Sequence, residues 1–379
     1  FLSSKDVPDT KTADRLVNSF NSDGIGQGMH AFLDSYLSIG VVSRGVISWI
    51  KLVCVFIQLR KVGKNLEFRE ASAFFWPILA ECWCRSTVGR VGAQGALWVE
   101  LFSSALKDLP RQKIGLYISE GQGWEKIFIH FWREYGHGKL IAVTHTTIPF
   151  WDLRQFDDAR AWNNQKLVVP QPDLKAVNGP EPFDILKAGG YPSERLVEIE
   201  ALRYLHLRSE TRSDPRSEDI TTTFPRVLVI ESIVPEMNIP IHDSLRCLSR
   251  EIKSDYKIAL KPHPGRKINS QTYAELEVNL TTNRLGDLLQ KFDVVYCPSS
   301  TGAGIDAYIS GLHVIVHIAE GELNLSALRH LPGGMFVSDA DELMKALTAP
   351  QATNSRDRNS FFWLDDNLPR WKKLIAQNI

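Results

Sequence analysis

Apolar and polar positions alternate along this chain in two rhythms with a polar break between, and each rhythm predicts its own structure. From about 28 to 108, apolar and aromatic residues recur at three-to-four spacing, as in "FREASAFFWPILAECW" and "GALWVELFSSALKDL", which predicts helices. At Lys113 the rhythm changes. "KIGLYIS" is a short apolar run, "EGQG" a glycine-containing loop and "WEKIFIHFWREY" an amphipathic helix; "KLIAVTH", "KLVVPQ" and "RLVEIE" then read as strands. Residues 207–225, "LRSETRSDPRSEDITTTFP", have almost no apolar positions and read as a linker. Alternation resumes with the strand "RVLVIES", the helix "HDSLRCLSREIKSD", the strand and loop "YKIALKPHP", the helix "NRLGDLLQKF", the strand "DVVYCPSS", the helix "TGAGIDAYISG" and the strand "LHVIVH". After "GGMFVS" come the helix "ADELMKAL" and an amphipathic tail, "LPRWKKLIAQNI".

Strands alternating with helices predict parallel sheets, so the fold class is α/β. The expected layout is an N-terminal domain over 1–206, helical at 28–108 and Rossmann-like at 110–206. The linker 207–225, a C-terminal nucleotide-sugar-binding domain at 226–348 and a tail helix in 349–379 crossing back complete it. Two such domains facing a central cleft resemble the GT-B architecture of nucleotide-sugar glycosyltransferases, which implies ligands at the carboxyl ends of the strands.

Composition narrows the setting. At 379 residues, with 44% hydrophobic and 23% charged residues, the chain is long enough for two cores. Lys plus Arg equals Asp plus Glu, 44 each, so overall charge does not point to nucleic acid and any anion site is local. Cys54, Cys82, Cys84, Cys247 and Cys297 are scattered among apolar residues and read as structural thiols of a reducing compartment. The chain opens on Phe1, which suggests a piece of a longer polypeptide, and its first residues lack a signal-peptide pattern. The run "GVISWIKLVCVFIQL", Gly45 to Leu59, is too short for a membrane span and contains Lys51, so it reads as a core helix. Arg44, Arg60, Lys61 and Lys64 around it fit the alternative of an interfacial helix on an anionic bilayer.

The chemistry concentrates at two loops. In "IALKPHPGRK", a strand runs into Lys261, His263, Arg266 and Lys267 on a turn stiffened by Pro262 and Pro264, a concentration of cations suited to an anion. In "CPSSTGAGIDAYISG", Ser299, Ser300 and Thr301 follow a strand, and Gly302 and Gly304 open a helix, offering hydroxyls and backbone amides to a phosphate. Both loops lie at carboxyl ends of strands. Glu120 ends a strand before Gly121 and Gly123, at the edge of the expected cleft. Glu231 ends the first strand of the second domain and is the best-placed carboxylate for a nucleophile, if the chemistry is a double displacement. No Asp-x-Asp stands where a metal-dependent transferase needs one, so metal-independent catalysis without a cofactor is expected.

His263-Pro264 and Ser299-Ser300 resemble the "HP" and "SS" motifs with which bacterial GT-B transferases of CMP-activated acidic sugars, the sialic acid and Kdo transferases, grip the nucleotide phosphate. The resemblance implies a CMP-linked donor, Glu120 as the general base, and His263 stabilising the departing nucleotide. Asp306, in "DAYISGLHVIV", occupies the acidic position of the wider GT-B donor-site pattern. The upstream "TTNRLGDLL" departs from the family in offering no ribose-binding carboxylate. Residues 110–205 also resemble bacterial surface-carbohydrate biosynthesis proteins; His145, Asp152 and Arg154 are cleft candidates within that stretch. The function implied is transfer of an acidic sugar to a glycan or glycolipid acceptor in polysaccharide or lipopolysaccharide assembly. It would take place in the cytoplasm at the inner face of the cytoplasmic membrane, with peripheral membrane contact. The rivals are a UDP- or GDP-hexose transferase of the same fold, a glycerol-phosphate polymerase and a noncatalytic nucleotide- or glycan-binding subunit.

Overall fold

A computed structural model describes residues 9–22, 29–59, 76–149, 151–158, 162, 169–208, 224–266, 270–329, 331, 333–349 and 361–378. Two compact units divide the chain. One comprises Phe1–Ile141, Gln165–Asp173 and Asn378–Ile379, and the other Ala142–Asn164 and Leu174–Gln377. Most of the expected linker (209–223) and much of the expected strand "KLVVPQ" (166–168) lie outside the described residues, as does Lys267.

The first unit is mainly helical, with α1 (Thr10–Ser22), α2 (Ile39–Leu59), α3 (Trp76–Thr87), α4 (Arg90–Asp108) and α5 (Gly123–Glu134). Leu109 and Pro110 end α4, because proline supplies no N–H to continue a helix. Strand β1 (Ile114–Ile118) follows, then α5 and β2 (Lys139–Val143). Gly115 is required in β1, since a Cβ there would stand 2.5 Å from the Trp132 ring on α5. One reading of the sequence is corrected here. The run 45–59 is not a core helix: α2 is 21 residues long, and only its Val41 and Gly45 are buried. Gly45 lets it cross α4 closely, where an added Cβ would sit 3.3 Å from Leu97 Cα.

In the second unit β3 (Leu174–Val177) pairs in parallel with β4 (Leu196–Glu198). The strand order of this smaller sheet is sequential, β1-β2-β3-β4. The sequence pattern missed β3, a four-residue segment whose "LKAV" includes a buried lysine, Lys175. Six further strands, β5 (Val227–Ile230), β6 (Ala259–Lys261), β7 (Asn279–Leu280), β8 (Val294–Pro298), β9 (His313–His317) and β10 (Gly334–Val337), form a parallel sheet in the order β10-β9-β8-β5-β6-β7. The chain runs outward from β5 to β7, returns to the other flank of β5 at β8, and runs outward again. That is the doubly wound Rossmann order, and its reversal lies between β5 and β8.

Burial explains the unbroken apolar runs. Every residue of β5, β8 and β9 is buried, as in a parallel sheet covered on both faces. Side chains alternate between two cores: Leu228, Ile230, Val295, Val314 and Val316 pack with Tyr204, Phe361 and Phe362, whereas Val227, Val229, Val294, Tyr296 and Ile315 pack with Ile241 and Leu245. The helix expected over 242–255 is two helices, Ile239–Cys247 and Arg250–Asp255. Ser249 breaks it by capping the second, its Oγ accepting from the Ile252 amide at 3.3 Å. The C-terminal segment is tied to this unit: the Trp363 amide donates to Asn178 O and its carbonyl accepts from the Ala201 amide. The buried Glu200 carboxylate accepts the first amides of the helix Pro369–Ala376, from Arg370 at 3.0 Å and Trp371 at 3.1 Å.

Candidate functional site

The two loops singled out in the sequence meet. β5, β6 and β8 are adjacent and parallel, so their carboxyl ends open at one edge of the sheet, at the reversal of strand order. There a pocket of about 300 Å³ is lined by Lys261 at the end of β6 and His263 and Pro264 after it, by Glu231 and Ser232 after β5, by Ser300, Thr301 and Gly302 after β8, by Asp306 on the next helix, and by Arg203.

The cationic loop is largely pre-paired. Lys261 is buried, and its Nζ donates to the Asn283 carbonyl at 2.7 Å; burial holds its pKa below the usual lysine value. Arg266 donates to Glu231 Oε2 at 3.3 Å. His263 Nδ1 accepts the Gly265 amide at 3.0 Å. A backbone N–H can only donate, so the neutral ring carries its proton on Nε2. Burial first, then the charges of Arg266 and Lys261, lower the His263 pKa against a smaller upward pull from Glu231. In its neutral form the ring therefore offers an Nε2–H donor.

Glu231, read in the sequence as a possible nucleophile, is engaged by three neighbouring donors. Its side chain is wholly buried. Oε1 accepts from His242 Nε2 at 2.6 Å, and Oε2 accepts from Tyr273 Oη at 2.8 Å and from Arg266. Burial and this bond push the Tyr273 hydroxyl up to about 12, keeping it a neutral donor. A carboxylate held by three donors is an anchor for the loop after β6, and it lacks the exposed lone pair that attack on an anomeric carbon requires.

The hydroxyl loop is also more differentiated than its sequence suggests. Ser300 Oγ bonds Ser232 Oγ at 3.1 Å on the pocket wall, joining the ends of β8 and β5. Thr301 Oγ1 accepts from the Ala303 amide at 3.4 Å. Ser299 is buried and borders a second, small cavity of about 30 Å³ that shares Ser300, Thr301 and Gly302 with the pocket and is also lined by Thr147 and Pro149 from the loop after β2. The helix Ala303–Ile309 has seven residues, so its dipole is small and the hydroxyls carry the polarity here. Asp306 is buried on that helix; burial first, then the Asp306 charge, raise the pKa of the neighbouring Tyr204 hydroxyl.

The remaining candidates lie elsewhere. Asp152 and Arg154 pair with each other at 2.7 and 2.8 Å, and Asp152 caps the short turn Leu153–Gln155. His145 is half-buried in the loop after β2 and does not line the pocket. Glu120 belongs to the first unit, after β1, followed by Gly121 at φ +69. Glu125 caps α5, accepting the Glu120 and Gln122 amides at 2.8 Å each. Sequence reasoning missed Arg203, Ser232, His242 and Tyr273; the last two reach Glu231 from 11 and 42 residues away, and no local pattern marks them.

No family model and no curated protein sequence matches the chain. Among solved structures, it aligns with HepE of Anabaena in complex with UDP at 14% identity, covering 74% of this chain and 78% of that one, TM-score 0.41. The UDP-N-acetylglucosamine 2-epimerase of Rickettsia bellii aligns at 14% identity over 75% and 77%, TM-score 0.43. MnaA of S. aureus, in a co-structure with UDP, aligns at 11% over 68% and 71%, TM-score 0.45. At these scores the likeness carries no functional weight, and the α/β assignment stands on strand order and register.

Proposed function

We propose that the protein is a glycosyltransferase whose second unit binds a nucleoside-diphosphate hexose, UDP- or GDP-linked, in the pocket at the carboxyl ends of β5, β6 and β8. The observation that carries this reading is the pairing in one pocket of two separate anion-recognising groups. One is Lys261 with the Nε2–H of His263; the other is the hydroxyls of Ser232, Ser300 and Thr301. A diphosphate has anionic oxygens for both groups. Neutral His263 suits donation to a leaving phosphate without a counter-anion, because a hydrogen bond preset by the fold gains as charge develops.

In this reading an acceptor hydroxyl attacks the anomeric carbon. The bond from that carbon to the phosphate oxygen breaks, the nucleotide leaves with the electron pair, and Glu120 takes the hydroxyl proton. A CMP-linked acidic sugar is the second reading. It is favoured by one observation, that His263-Pro264 and Ser300 of the two motifs share the pocket.

A thermal-shift panel of CMP, CDP, UDP, GDP and TDP on wild type and His263→Ala tests both. A ligand at a hundred times its Kd adds about 2.7 kcal/mol. Stabilisation by UDP or GDP that His263→Ala removes is the expected result. Stabilisation by CMP alone selects the second reading, and no shift with any nucleotide refutes both. Glu120→Gln should retain the shift and lose transfer.

A further inference from the structure

We infer that α2 lies in the plane of an anionic membrane surface and docks the first unit there. Among the described residues the helix packs mainly on α4, with a smaller contact to α3; the α4 contact runs through Val41 and Gly45 and through the Arg44–Glu100 ion pair at 2.8 Å, with Ser48 Oγ also on Glu100 at 3.2 Å. About a third of a turn round, Ile39, Val42, Val46, Ile50, Val53 and Ile57 follow each other at three-to-four spacing. Five of these six are exposed, Ile39 at 87% and Ile57 at 56%. Such a stripe is what a protein hides unless something apolar covers it.

The far edge of the helix says what covers it. On the side opposite the α4 contact Ser43, Lys51 and Gln58 are exposed, interleaved with the exposed Ile47 and Cys54, and Lys51 is the charged group there. With 21 residues the helix is long and apolar enough to cross a bilayer by length and composition. In that orientation Lys51 would sit in hydrocarbon near its middle, at high cost. Lying flat, the stripe enters the acyl boundary and Lys51 stays at headgroup level. Charge selects the lipid: between Asp34 and Glu67 the sequence carries Arg44, Lys51, Arg60, Lys61 and Lys64 and no acidic residue. Arg44 is paired with Glu100, Lys51 is exposed on the helix, and Arg60, Lys61 and Lys64 follow it in the sequence, a positive balance that favours anionic headgroups. This inference is independent of the nucleotide assigned above.

Co-sedimentation of the whole chain with phosphatidylcholine vesicles, with and without phosphatidylglycerol, tests it. Expected is at least about tenfold stronger partitioning onto the anionic vesicles, reversed by about 0.5 M salt and weakened by Lys51→Glu. Val46→Glu/Ile50→Glu, at exposed positions, should abolish partitioning while the circular dichroism spectrum and melting temperature hold. Four results overturn the inference: no vesicle binding; equal binding to neutral vesicles that resists alkaline carbonate, which makes α2 a span; partitioning that the double variant leaves intact; or a dimer in light scattering that the double variant dissociates, which makes the stripe a contact between copies.

Discussion

Replacing Glu231 by Gln separates an anchor from a nucleophile. The substitution keeps the side chain's shape, removes its charge and exchanges one acceptor for an NH₂ group. Of the three donors now facing the carboxylate, His242 at 2.6 Å, Tyr273 at 2.8 Å and Arg266 at 3.3 Å, at least one then faces another donor. Removing one partner of a buried ion pair costs about 3–5 kcal/mol. The Arg266 side chain is 23% exposed, so water recovers part of that, and the loss expected is about 2–3 kcal/mol. Urea unfolding followed by circular dichroism measures it, with Tyr273→Phe as a milder variant losing about 1 kcal/mol. An anchor predicts lost stability and a weaker nucleotide shift, because the loop after β6 loosens, with residual transfer in the folded fraction. Unchanged stability together with abolished transfer would refute the reasoning and restore Glu231 as nucleophile.

Glu181, at the start of the helix Pro180–Ala188, is pushed up to about 8 by burial, with Asp184 adding to the shift. A raised carboxyl pKa leaves the native state fully stable below the ordinary value of 4.5 and costs stability as pH rises toward 8. Glu181→Gln should therefore raise the melting temperature at pH 8–9 by an amount equivalent to a few kcal/mol, with the gain gone near pH 4. Equal curves at both pH values would contradict it. Gly179→Ala puts a Cβ 1.6 Å from the Phe361 carbonyl oxygen, a backbone clash, and is expected to cost roughly 3 kcal/mol or more or to abolish soluble expression. A native-state thiol titration should count four reactive cysteines, Cys54, Cys82, Cys84 and Cys247, and reach Cys297 only after denaturation, since burial pushes that thiol up to about 12. A fifth fast thiol would show that β8 is not sealed.

Much of this protein was legible in its residue pattern, because the pattern records burial. Fully buried strands must be apolar throughout, so "VLVI", "VVYCP" and "HVIVH" announced β5, β8 and β9 and with them a parallel α/β fold. Parallel strands also put their loops at one edge, which is why "KPHP" and "SST" could be assigned to one site without coordinates. Pattern alone failed where the deciding partner is distant in sequence. Glu231 stands at a strand end like any catalytic carboxylate, and only the convergence of His242, Tyr273 and Arg266 turns it into a buried anchor. The amide of Gly265 sets the proton of His263, and Lys261 is held by a carbonyl 22 residues on, so the charge of the loop is a tertiary property. The apolar run in α2 shows the same limit from the other side. Hydrophobicity by itself determined that the segment would be a helix seeking cover. Whether that cover is protein depends on which neighbours the fold supplies, and among the described residues these are chiefly α4, with a smaller contact to α3, leaving the stripe from Ile39 to Ile57 for a different apolar phase.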